Sequence, residues 1–141
     1  MRFYKYFFIS LFFISSLDAF EEGYVYNDDI KIVYRDYGPK NSEPILLVQG
    51  LGGQLINWPD HIIDFLIENN YRPIVFDNRD TGLSSRINND LFSDERRTRT
   101  INTTYVRYFL RLPINAPYSL DDMAEDSILI LDKLNIDKAH L

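Results

Sequence analysis

The 141-residue sequence has no cysteine, and this absence removes several classes of protein. A small domain held by disulfides is excluded, and so is a zinc or iron–sulfur site with cysteine ligands. Basic residues are also in the minority, with 15 Lys and Arg against 21 Asp and Glu and a formal net charge of -6. Because a general nucleic-acid-binding surface has to be basic, nucleic acid is not expected as a partner. The content of 45% hydrophobic and 15% aromatic residues argues against disorder, and the length fits one globular domain.

The sequence also has no apolar run long enough to favour a membrane-spanning helix. Residues 6–17 are uncharged and mostly apolar, but twelve residues of helix rise only about 18 Å, against about 30 Å of hydrocarbon. Arg2 and Lys5 precede this run, and Ala19 offers a small residue at a cleavage point. We interpret residues 1–19 as a secretory signal and expect a periplasmic or secreted product with no stable membrane span after cleavage. The alternative is an uncleaved N-terminal membrane anchor.

Five strand patterns are visible after the signal. Residues 24–26 and 30–34 flank a short polar turn, and the alternation in the second segment predicts a β-hairpin. Residues 45–48 and 73–76 are short, continuous apolar runs, which are typical of parallel strands buried on both faces. Residues 138–141 have the pattern of a further strand at its beginning.

Helical patterns separate these strands. The first follows Pro59, and its apolar positions end before Asn69 and Asn70. The second begins at Ser119 with a relative of the capping box, has a reasonable C-terminal cap in Asn135 and carries an apolar stripe at Ala124, Ile128, Leu131 and Leu134. The order of hairpin, strand, helix, strand, long insert, helix and strand predicts an α/β fold with parallel strands joined by helical crossovers.

A glycine-rich loop follows the first buried strand. Gly50, Gly52 and Gly53 allow a sharp turn and leave backbone N–H groups free to face a ligand. This loop is expected at the carboxyl end of a parallel strand, where α/β sheets place their sites. Its spacing matches neither the dinucleotide-binding nor the P-loop motif. A tight turn with no further role is the alternative.

A second loop, residues 76–85, follows the second buried strand. Asp77, Arg79 and Asp80 are close enough in sequence to bond to one another and to cap loop N–H groups. We expect them to stiffen the loop beside the site without doing chemistry; acid–base catalysis by the carboxylates is the less favoured alternative. The residues assigned to this loop-structuring role are Asp77, Arg79, Asp80, Gly82 and Ser84.

These motifs together resemble a known family. The stretch PILLVQGLGGQLINWPDHIIDFLIENNYRPIVFDNRDTGLSSR, followed later by APYSLDDMAEDSILILDKLNIDKAHL, is similar to the front half of an α/β-hydrolase. More narrowly it resembles the aclacinomycin-methylesterase-like members of that superfamily. The resemblance covers roughly residues 24–141, and the order and spacing of its motifs agree with the family.

The resemblance implies roles for individual residues. The family's oxyanion-hole loop is usually His-Gly-x, whose third residue donates its backbone N–H to the developing oxyanion, so this role passes to Leu51 within the loop of Gly50, Gly52 and Gly53. Gln49 stands where the family has histidine, which leaves the backbone donor intact but puts the side-chain hydrogen bonding of the loop in doubt. No metal or organic cofactor is implied.

The family's catalytic residues have no counterpart in this sequence. The G-x-S-x-G elbow follows the strand that begins at residues 138–141, and the acid and histidine come later still. His61 and His140 are the only histidines, and we expect one on a solvated helix and the other on a strand. Ser84 and Ser85 lack the strand–turn–helix setting of a nucleophile. No catalytic residue is therefore assigned in this chain.

The insert of residues 86–118 has six arginines against three acidic residues, a local formal charge of +3. It resembles part of a cap over the site, which would favour an anionic or amphipathic substrate. The favoured alternative is a solvated surface helix with an apolar inner face. A membrane-surface helix would need a longer and cleaner apolar stripe.

Two functional hypotheses remain. In the first, residues 20–141 are a partial α/β-hydrolase domain, the N-terminal fragment of an exported serine hydrolase acting on a small carboxylic ester or acyl substrate. In the second, the chain is a non-catalytic remnant, or a split half that requires a separately encoded C-terminal half as its partner. The same fold also serves epoxide hydrolases and dehalogenases, which use aspartate as nucleophile, so the reaction stays open.

Overall fold

The computed structural model describes residues 20–50, 52–87, 94–114 and 116–141, and within residues 94–101 it describes the backbone alone. The elements, in chain order, are β1 (Phe20–Asn27), β2 (Ile30–Tyr37), β3 (Glu43–Leu47), a 3₁₀ turn (Leu55–Asn57), α1 (Asp60–Glu68), β4 (Tyr71–Phe76), α2 (Asp94–Phe109) and α3 (Leu120–Lys133). The proposed signal, residues 1–19, lies outside the described residues and stays a prediction. No helix in the described ranges is long and apolar enough to cross a membrane.

The four strands form a mixed sheet with the order β1-β2-β4-β3. β1 and β2 form the predicted antiparallel hairpin, with Asn27 opposite Ile30 and Asp28 at a positive φ of 53° in the turn. β4 pairs antiparallel with β2 and parallel with β3, which confirms the parallel pairing expected of the two apolar strands. On the other side of β3, His140 forms an isolated parallel bridge with Ile45, where the sequence predicts the beginning of a strand.

The apolar core lies on both faces of the sheet because successive side chains of a strand point to opposite faces. Ile74 and Phe76 of β4 lie in a cluster with Ile130 of α3, whereas Val75 packs on the other face with Ile63 of α1. All three of these β4 side chains are 0% exposed, which explains the uninterrupted apolar run in the sequence.

The other apolar run, predicted over residues 45–48, is only partly buried. Leu46 is 1% exposed, but Val48 lies beyond the end of β3 and is 49% exposed. β3 is the last strand of the four-stranded sheet, and among the described residues its outer side is paired only at His140. The expectation of burial on both faces is therefore wrong at Val48.

The capping of α3 agrees with the sequence, and so does half of the predicted apolar stripe, because Leu131 and Leu134 pack against the core. Ser119 and Asp122 form a reciprocal capping box, and Asn135 ends the helix with a left-handed φ of 54°. The predicted stripe is wrong at Ala124 and Ile128, which are exposed. The buried positions of α3 are Asp126 and Ile130 instead. The helix is rotated so that a carboxylate faces the core, where it meets a buried arginine described below.

Candidate functional site

The two loops singled out in the sequence follow the carboxyl ends of the parallel strands β3 and β4 and therefore lie at the same edge of the sheet. Asn78, which is 7% exposed, joins them by donating from Nδ2 to the carbonyl oxygen of Gln49 at 3.1 Å. Since α/β sheets bind ligands at this edge, the two loops form the candidate site. Asn78 was not among the predicted site residues. Its position directly after Asp77, at the end of a buried strand, could have indicated a site residue.

The glycine loop is a tight turn with open space around it. The N–H of Gly53 donates to the carbonyl oxygen of Gly50 at 3.0 Å, and Gly52 has a left-handed φ of 75°. No heavy atom outside the neighbouring residues lies within 4 Å of the position that a side chain would take at Gly50 or Gly52. A ligand can therefore approach the backbone closely here.

Gln49 contributes to the shape of this loop through its side chain. A methyl group on Gly53 would lie 2.6 Å from Gln49 Oε1, so the amide lies directly over the backbone of Gly53. Gln49, which stands where the resembled family has histidine, thus packs a polar side chain inside the turn. Leu51 lies outside the described residues, and its role as an oxyanion donor stays a prediction.

Asp77 organises the second loop from within. Its side chain accepts the N–H of Leu55 at 2.7 Å through Oδ1 and the N–H of Leu83 at 2.8 Å through Oδ2. The residue is 1% exposed. Gly82 has a left-handed φ of 53°, and a methyl group there would overlap the carboxylate of Asp77. The carboxylate therefore joins the end of β4 to the 3₁₀ turn that follows the glycine loop.

Neither serine of this loop is placed as a nucleophile. The buried hydroxyl of Ser84 donates to the carbonyl oxygen of Asp77 at 2.6 Å and accepts the N–H of Val33 at 2.9 Å. Ser85 accepts the N–H of Lys31 at 2.9 Å. Both hydroxyls thus fix the loop to β2. Asp80 adds a further bond by accepting the N–H of Ile87 at 2.6 Å.

The sequence placed Arg79 close enough to bond to Asp77 or Asp80. In the structure its guanidinium instead bonds to residues of α3. Its Nε and Nη2 atoms each donate to the carboxylate of Asp126 at 2.7 Å, and Nη2 also donates to the carbonyl oxygen of Asp122 at 3.0 Å. Asn27 in the hairpin donates to the same carboxylate at 2.9 Å. The bonds to Asp126 raise the pKa of Arg79 above its ordinary value. This buried bidentate pair joins the second loop, α3 and the hairpin.

Asp126 was not among the predicted site residues. A signal was present, since it lies four residues before the buried Ile130 and therefore on the same face of α3. The ring of Tyr118 lies over the guanidinium of Arg79, 5.4 Å from its carbon. Burial, and then the nearby charge of Asp80, raise the pKa of Tyr118 above its ordinary value.

An apolar groove of about 420 Å³ opens beside the two loops, between α3 and the outer side of β3. Its residues include Leu46, Val48, Asn78, Met123, Ile128 and Leu141. Ile128 is 55% exposed and Leu141 is 89% exposed. The groove therefore adds apolar surface to the candidate site. The hydroxyl of Ser127, which also lines it, donates to the carbonyl oxygen of Met123 at 3.2 Å.

The histidines lie away from any catalytic arrangement. His61 is exposed on α1, and Nε2 of His140 lies 2.8 Å from Glu43 Oε1 at the outer edge of the sheet. In the described ranges no histidine is hydrogen-bonded to a serine, and no group of three acidic or histidine side chains is placed to bind a metal ion. The geometry thus provides loop backbone, a polar scaffold and apolar surface, but not a triad.

Comparison with known proteins identifies the architecture. The sequence is 26% identical over 115 residues to rhodomycin D methylesterase DnrP of Streptomyces peucetius, covering 82% of this chain and 30% of that protein. Among solved structures, a hydrolase from Pseudomonas aeruginosa PA01 superposes with a TM-score of 0.59 at 22% identity, covering 84% of this chain and 34% of the other. Epoxide hydrolase A from Mycobacterium thermoresistibile gives a TM-score of 0.57 at 18% identity, covering 85% and 30%. The chain has the α/β-hydrolase fold. No family model matches it.

The chain spans 30% of the length of the methylesterase that it matches, consistent with an N-terminal portion of the fold. The resemblance drawn from the sequence motifs is confirmed.

Proposed function

We propose that this chain is the N-terminal part of an exported serine hydrolase that cleaves a small carboxylic ester or a related acyl substrate. The observation that carries the proposal is the joining of two loops, through Asn78 and Gln49, at the carboxyl edge of an α/β-hydrolase sheet. The similarity to a rhodomycin D methylesterase supports an ester over other substrates of this fold.

In this proposal the chain supplies the oxyanion loop and the scaffold around it. A serine provided by the remainder of the hydrolase attacks the ester carbonyl, and the backbone N–H of Leu51 stabilises the negative charge that develops on oxygen. A donor of this kind is typically worth about 2.7–4 kcal/mol in the transition state. The alcohol then leaves, and water releases the acid from the acyl-enzyme.

The last described residues support a position for the proposed nucleophile. His140 bonds to β3 at two points, accepting the N–H of Leu46 at 2.9 Å and donating its own N–H to Pro44 at 2.9 Å. A strand continuing in that direction would end at the same edge as β3 and β4. A G-x-S-x-G elbow there would bring its serine beside the glycine loop.

The test is to read the gene past the codon for Leu141 and to express any longer product. A frame that continues into G-x-S-x-G should give a protein that is labelled by a fluorophosphonate and turns over simple esters. The matched control replaces the elbow serine by alanine and should lose both properties. Absence of labelling and turnover in the unsubstituted product would disprove the proposal, and an aspartate at the elbow would redirect the assays to epoxides.

A second candidate is a split hydrolase, in which a separately encoded half would cover the outer side of β3 and its apolar groove. In that case the reading frame stops after Leu141 and the chain has no esterase activity alone. Co-expression with a separately encoded C-terminal half should restore labelling. Failure of every such half in the same genome to restore it would leave a non-catalytic remnant.

Export is a further part of the proposal and rests on residues 1–19. The secreted product should begin near Phe20, whereas an N-terminal anchor would leave intact chain in the membrane fraction. N-terminal sequencing of the mature protein distinguishes the two.

A further inference from the structure

The helix α2 and the turn after it form a surface unlike the rest of the molecule. Every residue from 102 to 114 is exposed, and we call these residues the arm. The exposed large apolar side chains of the arm are Tyr105, Val106, Tyr108, Phe109, Leu110, Leu112 and Ile114. Phe109 is 82% exposed, more than Phe65 of α1 at 59%. A concentration of this kind on one surface usually marks an interaction site.

The arm takes no part in the core. The sheet packs against α3 on one face and α1 on the other, and neither of the two core clusters includes a residue of the arm. Within the described residues, the apolar side of α2 is therefore without a partner. The apolar inner face expected of a solvated surface helix does not pack against the sheet.

The turn after α2 is held against the end of the helix. Arg111 ends the helix with a left-handed φ of 54°, and the N–H of Leu112 donates back to the carbonyl oxygen of Arg107 at 2.9 Å. Nε of Arg107 donates to the carbonyl oxygen of Pro113 at 2.8 Å. These bonds fold residues 110–114 against the end of the helix, so the two arginines belong to the same short exposed segment as the aromatic residues.

Charge is segregated to the same part of the chain. Residues 96–120 contain five arginines and no acidic residue. The rest of the chain has ten basic and 21 acidic residues, a formal charge of -11. The occupant of the arm should therefore be anionic as well as apolar. Contact between two copies of the arm would oppose arginines to arginines, which disfavours a symmetric pairing.

We propose that the arm docks on an anionic lipid surface. Its aromatic side chains enter the headgroup region, where amphipathic rings are favoured, and Arg107 and Arg111 contact lipid phosphates. The apolar stripe of α2 alone is short for a membrane-surface helix. The turn after α2 adds the exposed apolar side chains of Leu110, Leu112 and Ile114, which are not part of the helical stripe. The binding does not depend on hydrolase activity.

The test is sedimentation of the full chain with vesicles at low ionic strength. Vesicles of phosphatidylcholine and phosphatidylglycerol in a 3:1 ratio should bind it, and pure phosphatidylcholine vesicles should not. The double variant Arg107→Gln/Arg111→Gln should weaken binding about 25-fold, at about fivefold for each arginine. The variant Phe109→Ser should weaken it about tenfold. Added salt should weaken binding of the unsubstituted chain.

Matched controls lie elsewhere on the surface. Phe65→Ser removes an exposed ring from α1, and Lys133→Gln removes a cation from the end of α3; both should bind within twofold of the unsubstituted chain. Circular dichroism checks that each variant keeps its fold. Tyr108→Trp provides a second measurement, because its fluorescence should be quenched by brominated lipid.

Three outcomes would overturn the proposal. One is equal binding to charged and neutral vesicles, and another is an equal loss of binding in the control variants. The third is binding to polyglutamate without binding to vesicles, which would assign the arm to an acidic protein partner instead.

Discussion

At the residue scale, the conformation of the loop of residues 76–85 requires glycine at position 82. Gly82 combines a left-handed φ of 53° with a backbone on which a methyl group would overlap the carboxylate of Asp77. We expect Gly82→Ala to lower the free energy of unfolding by about 2 kcal/mol or more, because a strained backbone and a displaced carboxylate both contribute. Urea unfolding followed by circular dichroism measures the change.

Gly50 provides the matched control for this substitution. No heavy atom lies within 4 Å of the position of its missing side chain, and its φ is not left-handed. Gly50→Ala should therefore change stability by less than about 1 kcal/mol. Equal losses in the two variants would show that the carboxylate of Asp77 is not what requires glycine at position 82.

Asp36 gives the fold a dependence on pH. Although burial opposes its charged form, hydrogen bonds from Arg72 and Lys40 outweigh this and hold the pKa of Asp36 below the ordinary 3.8. The unfolded chain therefore binds the proton more readily, so this stabilisation is present above about pH 4 and is lost as the pH falls through the folded-state pKa. Asp36→Asn should lose less stability than the unsubstituted chain between pH 5 and pH 2.5.

Urea unfolding at each pH measures this difference. Asp64→Asn, on the exposed side of α1, is the control and should keep the acid response of the unsubstituted chain. If Asp36→Asn retains the full response, other carboxylates account for the acid sensitivity.

At the element scale, the buried pair of Arg79 and Asp126 joins α3 to the sheet. Its side chains are 6% and 2% exposed, so removing one partner leaves the other charge buried and unpaired. We expect Asp126→Asn to destabilise the chain by about 3–5 kcal/mol, measured by urea unfolding. The double variant Arg79→Met/Asp126→Leu should recover much of this loss, because an apolar pair has no charge to desolvate.

An exposed ion pair in the same molecule is the comparison. Lys40 and Glu21 meet at 2.8 Å with side chains 49% and 76% exposed. Glu21→Gln should cost less than about 1 kcal/mol, as is usual for surface pairs. A cost for Asp126→Asn as small as this would contradict a structural role for the buried pair.

The elements that the sequence predicted correctly are those specified by local patterns. The hairpin follows from alternation within residues 30–34, and the start of α3 follows from the capping box at Ser119. The apolar stripe of α3 was predicted correctly at Leu131 and Leu134 and wrongly at Ala124 and Ile128. The pattern of apolar residues does not reveal that a carboxylate is buried at Asp126. Asp126 is buried because it pairs with Arg79, which is 47 positions away in the chain. Only the folded structure brings the two residues together.

At the scale of the whole molecule, the family motifs predicted the fold. The candidate site could be predicted from the sequence only in part. The glycine loop and the residues after β4 were located because both follow short apolar strands. The bond from Asn78 to Gln49 was not predicted, since it depends on β3 and β4 being neighbours. The exposure of the arm was also beyond prediction, because a helical pattern does not show whether another element covers it.

The uneven packing of the two long helices leads to a prediction for hydrogen exchange. α3 buries Ile130 in the core, whereas every side chain of α2 from residue 102 onward is exposed. An unpacked helix of this length is marginal in water, so amides of residues 102–109 should exchange at least about 100-fold faster than those of residues 128–133. Mass spectrometry of the exchanging chain measures both. Equal protection without lipid would mean that part of the chain covers the arm, whereas protection gained only with anionic vesicles would show where lipid binds.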